Sequence, residues 1–337
     1  MIDFHRLDLN KKETYNQYLQ TCGERGCEYS FTNLFLWGRQ KAAFVDGFLT
    51  LFSQFDRKTV YPYPAGEGEV KPVLEAIIRD SQERGIPCRI TGLDSEDIAE
   101  MERMFPGQFR YHCDRDSYDY VYAIDDLADL KGRKYQRKRN HYNRFRDNYP
   151  YYTIEPITQE NIPQVRQMLE QWYAQRKQTD PDGDYLMEQS AIYRALRHYD
   201  QLGLEGIVLM YEDRILAMTI GSRLAPDTYD IHFEKACAEA DTAYTVINCE
   251  FARFLRERHP EVQFLNREDD LGLEGLRSAK LSYNPDRLLE TCSVRDFLQI
   301  VEKCLEAQHE GGLYNIGSGG STLRERIEGI VDVFSPA

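Results

Sequence analysis

The chain has 337 residues, enough for two domains of ordinary size, each able to bury its own core. Hydrophobic residues at 42%, aromatics at 12% and 23 tyrosines exclude a disordered class. A net charge of −14 excludes unspecific binding of nucleic acid or anionic membrane by the whole surface, and no apolar run approaches the roughly 20 residues that span a bilayer. The start, Met1-Ile-Asp-Phe-His-Arg, lacks the apolar core of a signal peptide, so a cytoplasmic protein is expected.

In chain order, a short strand is followed by a helix over about Lys11–Leu19 and an amphipathic aromatic segment over Tyr29–Trp37 that offers Phe31, Leu34, Phe35 and Trp37 to a core. Ala42–Val45 and Phe48–Phe52 flank Asp46-Gly47, a strong hairpin signal. A helix over Glu69–Arg84, a strand at Pro87–Thr91, a helix over Ser95–Met104 with Ser95 and Ile98 as its box-like start, and a strand at Tyr118–Tyr122 complete the first half.

Residues 131–149 read as a helix with Tyr135, Tyr142, Phe145 and Tyr149 along one side. Residues 131–146 carry eight cations and no acid, so this piece is +8 and the remainder −22. Such a block is either a solvated face on an aromatic seat or a clamp for phosphate, and self-repulsion favours a bound anion. Lys131, Lys134, Lys138, Arg139, Asn140, Asn143 and Arg144 are the candidate donor-binding residues.

The second half offers a strand at Tyr152–Glu155, helices over Ile162–Lys177 and Met187–Tyr199, a hairpin of Gly206–Tyr211 with Ile215–Gly221, and a strand at Thr228–Phe233. A helix over Tyr244–Arg258, a strand at Val262–Leu265, a helix over 273–283 and a strand at Arg287–Thr291 close it. Glu274, Arg277 and Lys280 step by three along the last helix, which gives either locally paired surface charge or a charged edge aimed at a site.

Three stretches carry a resemblance: NREDDLGLEGLRSAKLSYNP at Asn266–Pro285, KGRKYQRKRNHYNRF at Lys131–Phe145, and HFEKA at His232–Ala236. Together they resemble a bacterial family related to the catalytic domain of phosphatidylglycerol lysyltransferase, over most of residues 1–292. The resemblance implies an α/β (α+β) protein of tandem GNAT-type acyltransferase folds, each a mixed twisted sheet flanked by helices. It places an N-terminal domain at 1–130, a basic linking helix at 131–150 and a C-terminal domain at 151–293.

In GNAT enzymes a glycine-rich loop receives the pyrophosphate of coenzyme A on backbone amides. The matching stretch here, Ala236–Tyr244, has no glycine and carries Glu239 and Asp241, which repel such a group. That departure favours the branch of the resemblance that uses aminoacyl-tRNA as co-substrate over one using acetyl-CoA, with the basic helix holding the tRNA end. Arg139→Ala and Arg144→Ala are then expected to weaken tRNA binding. No tightly bound cofactor and no metal is expected, and the acceptor is a small amine, a peptide or a lipid headgroup. A CoA-dependent N-acetyltransferase and a catalytically silent binding module are the alternatives.

Glu234, flanked by His232 and Lys235, is the candidate for binding or deprotonating an amine, against an ordinary ion pair with Lys235 or Arg277. Tyr283 is a candidate acid, and Arg277 and Lys280 are candidates for holding an anionic group or an oxyanion. His232, Lys235, Asn248, Asn266, Glu268 and Asp270 are the substrate-binding candidates.

Eight cysteines, at 22, 27, 88, 113, 237, 249, 292 and 304, show no CxxC pair and no zinc spacing with histidine, so reduced thiols are expected. From about Val294 the text changes. Gly311–Val331 resembles the C-terminal part of sugar-nucleotide epimerases, yet the glycine-rich NAD motif of that family is absent. Residues 294–337 therefore read as an unrelated tail, and a chain ended at Cys292 is expected to keep its melting temperature.

Overall fold

The computed structural model describes residues 1–22, 26–38, 40–55, 58–181, 183, 185–240 and 242–296. The chain begins with β1 (His5–Arg6), α1 (Lys12–Leu19), α2 (Phe31–Trp37), β2 (Gln40–Val45) and β3 (Phe48–Phe55). The Ser30 hydroxyl starts α2 by accepting from the Asn33 amide. Asp46 and Gly47, with φ of 47° and 81°, give the β2–β3 turn the left-handed backbone that suits the twist of a hairpin.

Next come β4 (Lys58–Pro62), α3 (Lys71–Glu83), β5 (Arg89–Leu93), α4 (Ser95–Met104), β6 (Phe109–Cys113) and β7 (Asp119–Ala123). The capping box of α4 is Asp94 with Asp97, one residue upstream of the expected Ser95 start, because a carboxylate at 94 accepts from the amides of Glu96 and Asp97. Then follow α5 (Ile124–Asp129), α6 (Gln136–Asn148), β8 (Thr153–Pro156), α7 (Ile162–Thr179), α8 (Leu186–Arg197) and α9 (Tyr199–Leu202). The described chain ends with β9 (Glu205–Tyr211), β10 (Arg214–Ala225), β11 (Thr228–Ala236), α10 (Ala243–Arg258), β12 (Phe264–Asn266), α11 (Glu274–Leu281), β13 (Arg287–Leu289) and β14 (Cys292–Asp296).

Two seven-stranded mixed sheets result, ordered β1-β2-β3-β4-β5-β14-β6 and β13-β7-β12-β11-β10-β9-β8. Each contains one parallel pair joined by a crossover helix, β4-α3-β5 in the first and β11-α10-β12 in the second. Beyond its parallel pair each sheet takes a strand from the other half. β7 lies between β12 and β13, and β14 lies between β5 and β6.

This reciprocal exchange corrects the expected boundaries. The sheets do not divide at 130 or at 293, since β7 precedes the first boundary yet belongs to the second sheet, and most of β14 follows the last boundary yet belongs to the first. Val294, 1% exposed, packs with Ile90, Phe109 and the other side chains of the first core. Tyr120 and Tyr122 of β7 pack likewise with Phe251, Leu255 and Leu265 of the second. The epimerase-like stretch lies outside the described residues.

A further correction concerns the thiols. Cys113 and Cys292, directly opposed on β6 and β14, form a disulfide. The spacing rule looked for neighbours in sequence, whereas this pair is 179 residues apart. Among the described residues Cys22, Cys27, Cys88, Cys237 and Cys249 are outside any disulfide.

Ending the chain after Cys292 removes Ser293–Asp296 and leaves β5 and β6 with unpaired edges inside the sheet. Urea unfolding of a chain ended after Cys292, against one ended after Asp296, is expected to show a loss of about 2–4 kcal/mol. Equal midpoints would show that β14 contributes nothing to the first sheet.

Candidate functional site

The signature stretch is a strand end, a tight loop and a short helix, and its charged side chains mostly hold the loop. Backbone φ is 56° at Glu268, 53° at Leu271 and 71° at Gly272, a left-handed path that non-glycine residues adopt only when fastened. Asn266 is the first fastener: its Nδ2 donates to Asp119 at 2.8 Å and its Oδ1 accepts from the Glu268 amide at 2.7 Å. The Lys280 ammonium, 7% exposed, donates to the carbonyls of Arg267, Glu268 and Asp269. Asp270, fully buried, accepts two bonds from Arg277 at 2.8 Å, one from the Tyr120 hydroxyl at 2.5 Å and one from the Gly272 amide at 3.0 Å.

These bonds, Arg277 first, hold the Asp270 carboxyl well below the usual range. Arg277 also reaches Asp116 at 2.5 Å. Arg277 and Lys280, expected to hold an anionic group or an oxyanion, and Asp270, expected to bind substrate, are instead engaged within this loop. Their polar groups serve the protein's own backbone and each other.

Glu234 stands otherwise. Its carboxylate, on β11, accepts from Arg267 Nη2 at 3.0 Å and from Asn248 Nδ2 at 3.3 Å. Its ion pair is with Arg267, and neither Lys235 nor Arg277 takes that part. Lys235 instead pairs with Glu188 and lies 4.4 Å from the Trp172 ring centre. Arg267 stacks over the rings of Tyr283 and Tyr122, 4.9 and 5.6 Å from their centres. Two polar atoms of this cluster are buried without a hydrogen-bond partner among the described residues: Arg267 Nη1 and Asn248 Oδ1. Such atoms are costly unless a bound group satisfies them.

Lys138 reaches the same cluster from α6, its Nζ 3.4 Å from the Tyr283 ring centre. Burial, with Arg267 and Arg137 nearby, brings its ammonium down to about 8. Burial pushes the Tyr283 hydroxyl up to about 12. Of the two, Lys138 is the better proton donor near neutral pH, and Tyr283 is its aromatic seat.

Beyond the Asn266–Asp270 loop lies a buried acidic cluster. His232 Nε2 is 2.8 Å from Ser222 Oγ, while Nδ1 is 3.4 Å from Glu268 and 3.5 Å from Asp230. Asn33 of α2 donates to Glu268 at 3.0 Å, and the Cys27 amide donates to Asp119 at 2.6 Å. Burial first, then neighbouring carboxylates, raises Asp119 and Asp230, and brings Glu28 and Asp269 up to about 7. The same causes raise the Cys27 thiol, which leaves it a poor nucleophile. A cavity of about 270 Å³ adjoins, lined in part by Cys27, Glu28, Asp119, Asp269, Thr291 and Cys292.

On the basic segment, acids just upstream supply partners that a count over residues 131–146 misses. Lys131 pairs with Asp129 at 2.7 Å and Lys134 with Asp126 at 2.8 Å. Arg139 donates to the carbonyls of Leu130 and Gly132 and to Gln136, so it caps α5 and departs from the expected role in phosphate binding. The Asn140 side-chain Oδ1 accepts from Gln136 Nε2 at 2.9 Å. Tyr142, Phe145 and Tyr149 seat α6 on the second core, while Arg137, Asn143, Arg144 and Arg146 are exposed. Loop 236–240 places Glu239 against Arg214 at 2.6 Å, and Asp241 lies outside the described residues.

Sequence reasoning passed over Arg267, Asp119, Asp230 and Glu28. The polar residues Asp230, His232 and Glu234 on β11 held a partial signal, but a register shift between Ile231 and Phe233 breaks the alternation and turns Glu234 to the opposite face from Asp230. Nothing near Asp119 or Glu28 in the chain announces what they face.

Residues 20–292 match the family model described as phosphatidylglycerol lysyltransferase, C-terminal. The crystal structure of a conserved protein of unknown function from Bacteroides thetaiotaomicron is 36% identical, with a TM-score of 0.82 over 88% of this chain and 99% of that one. L-PGS from Bacillus licheniformis is 14% identical with a TM-score of 0.62 over 99% of each chain, a likeness of fold. A curated relative, an uncharacterized protein of Mycoplasmoides gallisepticum, is 26% identical over 181 residues, 53% of this chain. The match spans 56%, about half, of that relative's own length. The two mixed sheets flanked by helices are GNAT-like. Among the described residues no helix is long and apolar enough to cross a membrane.

The depressed Lys138 ammonium has a measurable sign. The fold penalises its charged form, so the penalty is complete below about pH 8 and fades as pH rises toward the unfolded value of 10.5. Urea unfolding from pH 7 to 10 is expected to show wild type gaining stability relative to Lys138→Met as pH rises. A pH-independent difference would mean that Lys138 is not desolvated.

Proposed function

This chain belongs to the phosphatidylglycerol lysyltransferase C-terminal family, and from that premise we propose that it moves an aminoacyl group from aminoacyl-tRNA to an amine or hydroxyl acceptor, whether small molecule, peptide or lipid headgroup. The observation that carries the reading is the cluster of Glu234, Arg267 and Asn248, where a buried Arg267 N–H has no hydrogen-bond partner among the described residues and Lys138 of the basic helix lies against Tyr283.

The acceptor nitrogen or oxygen bonds to the ester carbonyl carbon while its proton passes to the Glu234 carboxylate. The carbonyl electron pair moves onto oxygen, and Arg267 Nη1 donates to the oxyanion. Collapse breaks the bond to the terminal ribose oxygen of tRNA, which takes a proton from the Lys138 ammonium. Asn248 Oδ1 accepts from the substrate amine. The exposed Arg137, Arg144 and Arg146 meet the phosphates of the tRNA end. Glu239, on the loop where a GNAT enzyme would receive a pyrophosphate, supports this donor over acetyl-CoA.

Two measurements test the reading. With bulk radiolabelled aminoacyl-tRNA and a panel of amine, peptide and phosphatidylglycerol-vesicle acceptors, Glu234→Gln is expected to slow transfer about 10²–10⁴-fold and Arg267→Gln about 10²–10³-fold. Transfer that survives Glu234→Gln, or binding of acetyl-CoA with none of tRNA, would overturn it. Replacing Arg137, Arg144 and Arg146 together by alanine is expected to weaken tRNA binding and lower the salt slope by about 2–3. Arg139→Ala is expected to leave that slope unchanged and to cost about 1 kcal/mol of stability through the lost cap of α5.

A further inference from the structure

Apart from any transfer chemistry, the geometry points to a divalent metal site formed by Asp230, His232 and Glu268, suited to Zn²⁺ or a similar first-row cation. One ligand atom from each of the three lies within 4.8 Å of the others. Two of the separations, His232 Nδ1 to Glu268 at 3.4 Å and to Asp230 at 3.5 Å, fit the edge of about 3.4 Å expected for a tetrahedron with bonds of about 2.1 Å.

A group of acids with a histidine is common without an ion, and a second observation separates this one. Asp230 is fully buried, and neither of its carboxylate oxygens has a hydrogen-bond partner among the described residues. A buried carboxylate left bare is costly, and a cation between it and its neighbours removes that cost. The Lys280 ammonium does not fill the role, because its bonds run to the carbonyls of Arg267, Glu268 and Asp269.

The surroundings orient the ligands as metal sites require. A proton on His232 Nε2, donated to Ser222 Oγ at 2.8 Å, leaves the Nδ1 lone pair directed at the two carboxylates. Asn33 donates to Glu268 at 3.0 Å, and the left-handed backbone at Glu268 is pinned by Asn266. One imidazole and two carboxylates favour Zn²⁺, Mn²⁺ or Fe²⁺ over Mg²⁺, which prefers an all-oxygen octahedron. Three protein ligands leave a fourth position for water or a substrate atom.

Calorimetric titration of the chelator-treated full chain with ZnCl₂ and with MgCl₂, followed by thermal unfolding, tests the site without any turnover. Zn²⁺ is expected to bind one per chain and to raise the melting temperature, with Mg²⁺ much weaker. Asp230→Asn and Glu268→Gln, near-isosteric changes that relieve buried charge, are each expected to weaken Zn²⁺ by about tenfold or more. Cys27→Ser, in the neighbouring group of Cys27, Glu28 and Asp119, is expected to leave binding unchanged. The proposal falls if wild type takes up no stoichiometric Zn²⁺, or if Asp230→Asn and Glu268→Gln bind it as wild type does. It falls equally if n-butylammonium stabilises wild type but not Asp230→Asn while Zn²⁺ does neither, since the pocket is then one for an organic cation.

Discussion

The exchange of β7 and β14 between the two sheets is the constraint on which the rest of the molecule depends. Each sheet is completed by hydrogen bonds to a strand from the other half, so neither core closes by itself. Function rests on the same exchange. Asp119 opens the lent strand β7 and meets Asn266 on β12, and Asn266 in turn sets the turn that aims Glu268. Cys27, Glu28 and Asn33 arrive from the opposite side, ahead of or within α2. A site assembled from both ends of the chain has fixed geometry because the halves are interlocked.

Charge is distributed by the same logic of fixed partners. In the signature stretch, Arg277 and Lys280 neutralise and cap a loop that would otherwise bury Asp270 and three carbonyls unsatisfied. Arg267, only one residue beyond the strand, is held by a single carboxylate and two aromatic faces. That incompleteness distinguishes a group available for chemistry from one spent on architecture. Among the basic residues of 131–146 the division is similar, with Lys131, Lys134 and Arg139 engaged locally and Lys138 turned onto the Tyr283 ring.

Much of this order was legible in the sequence, and the illegible part has physical causes. Periodicity located α7, α10 and the β9–β10 hairpin because long apolar patterns report burial locally. β4 and β6 escaped because each has five residues, with Pro62 ending one and three exposed positions in the other. The strand exchange left no local mark, since β7 reads as an ordinary strand whichever sheet receives it, and β14, only five residues long, straddles the point near Val294 where the text changes and is not read as a strand. The HFEKA stretch disclosed Glu234 by its setting, while the role of Arg267 depended on a partner 33 residues away. Counting acids only inside 131–146 hid Asp126 and Asp129, which stand a few residues earlier.

The interlock also carries a consequence for biosynthesis. The first sheet waits for a strand whose cysteine is 179 residues downstream of its disulfide partner. At translation rates of about 5–20 residues per second that is roughly 10–40 s, during which β5 and β6 leave the ribosome with bare inner edges. Folding of the N-terminal half is thereby deferred until the C-terminal half has nearly emerged. The nascent chain becomes a client for chaperones at those edges, and any pause in translation between the two cysteines prolongs the exposure.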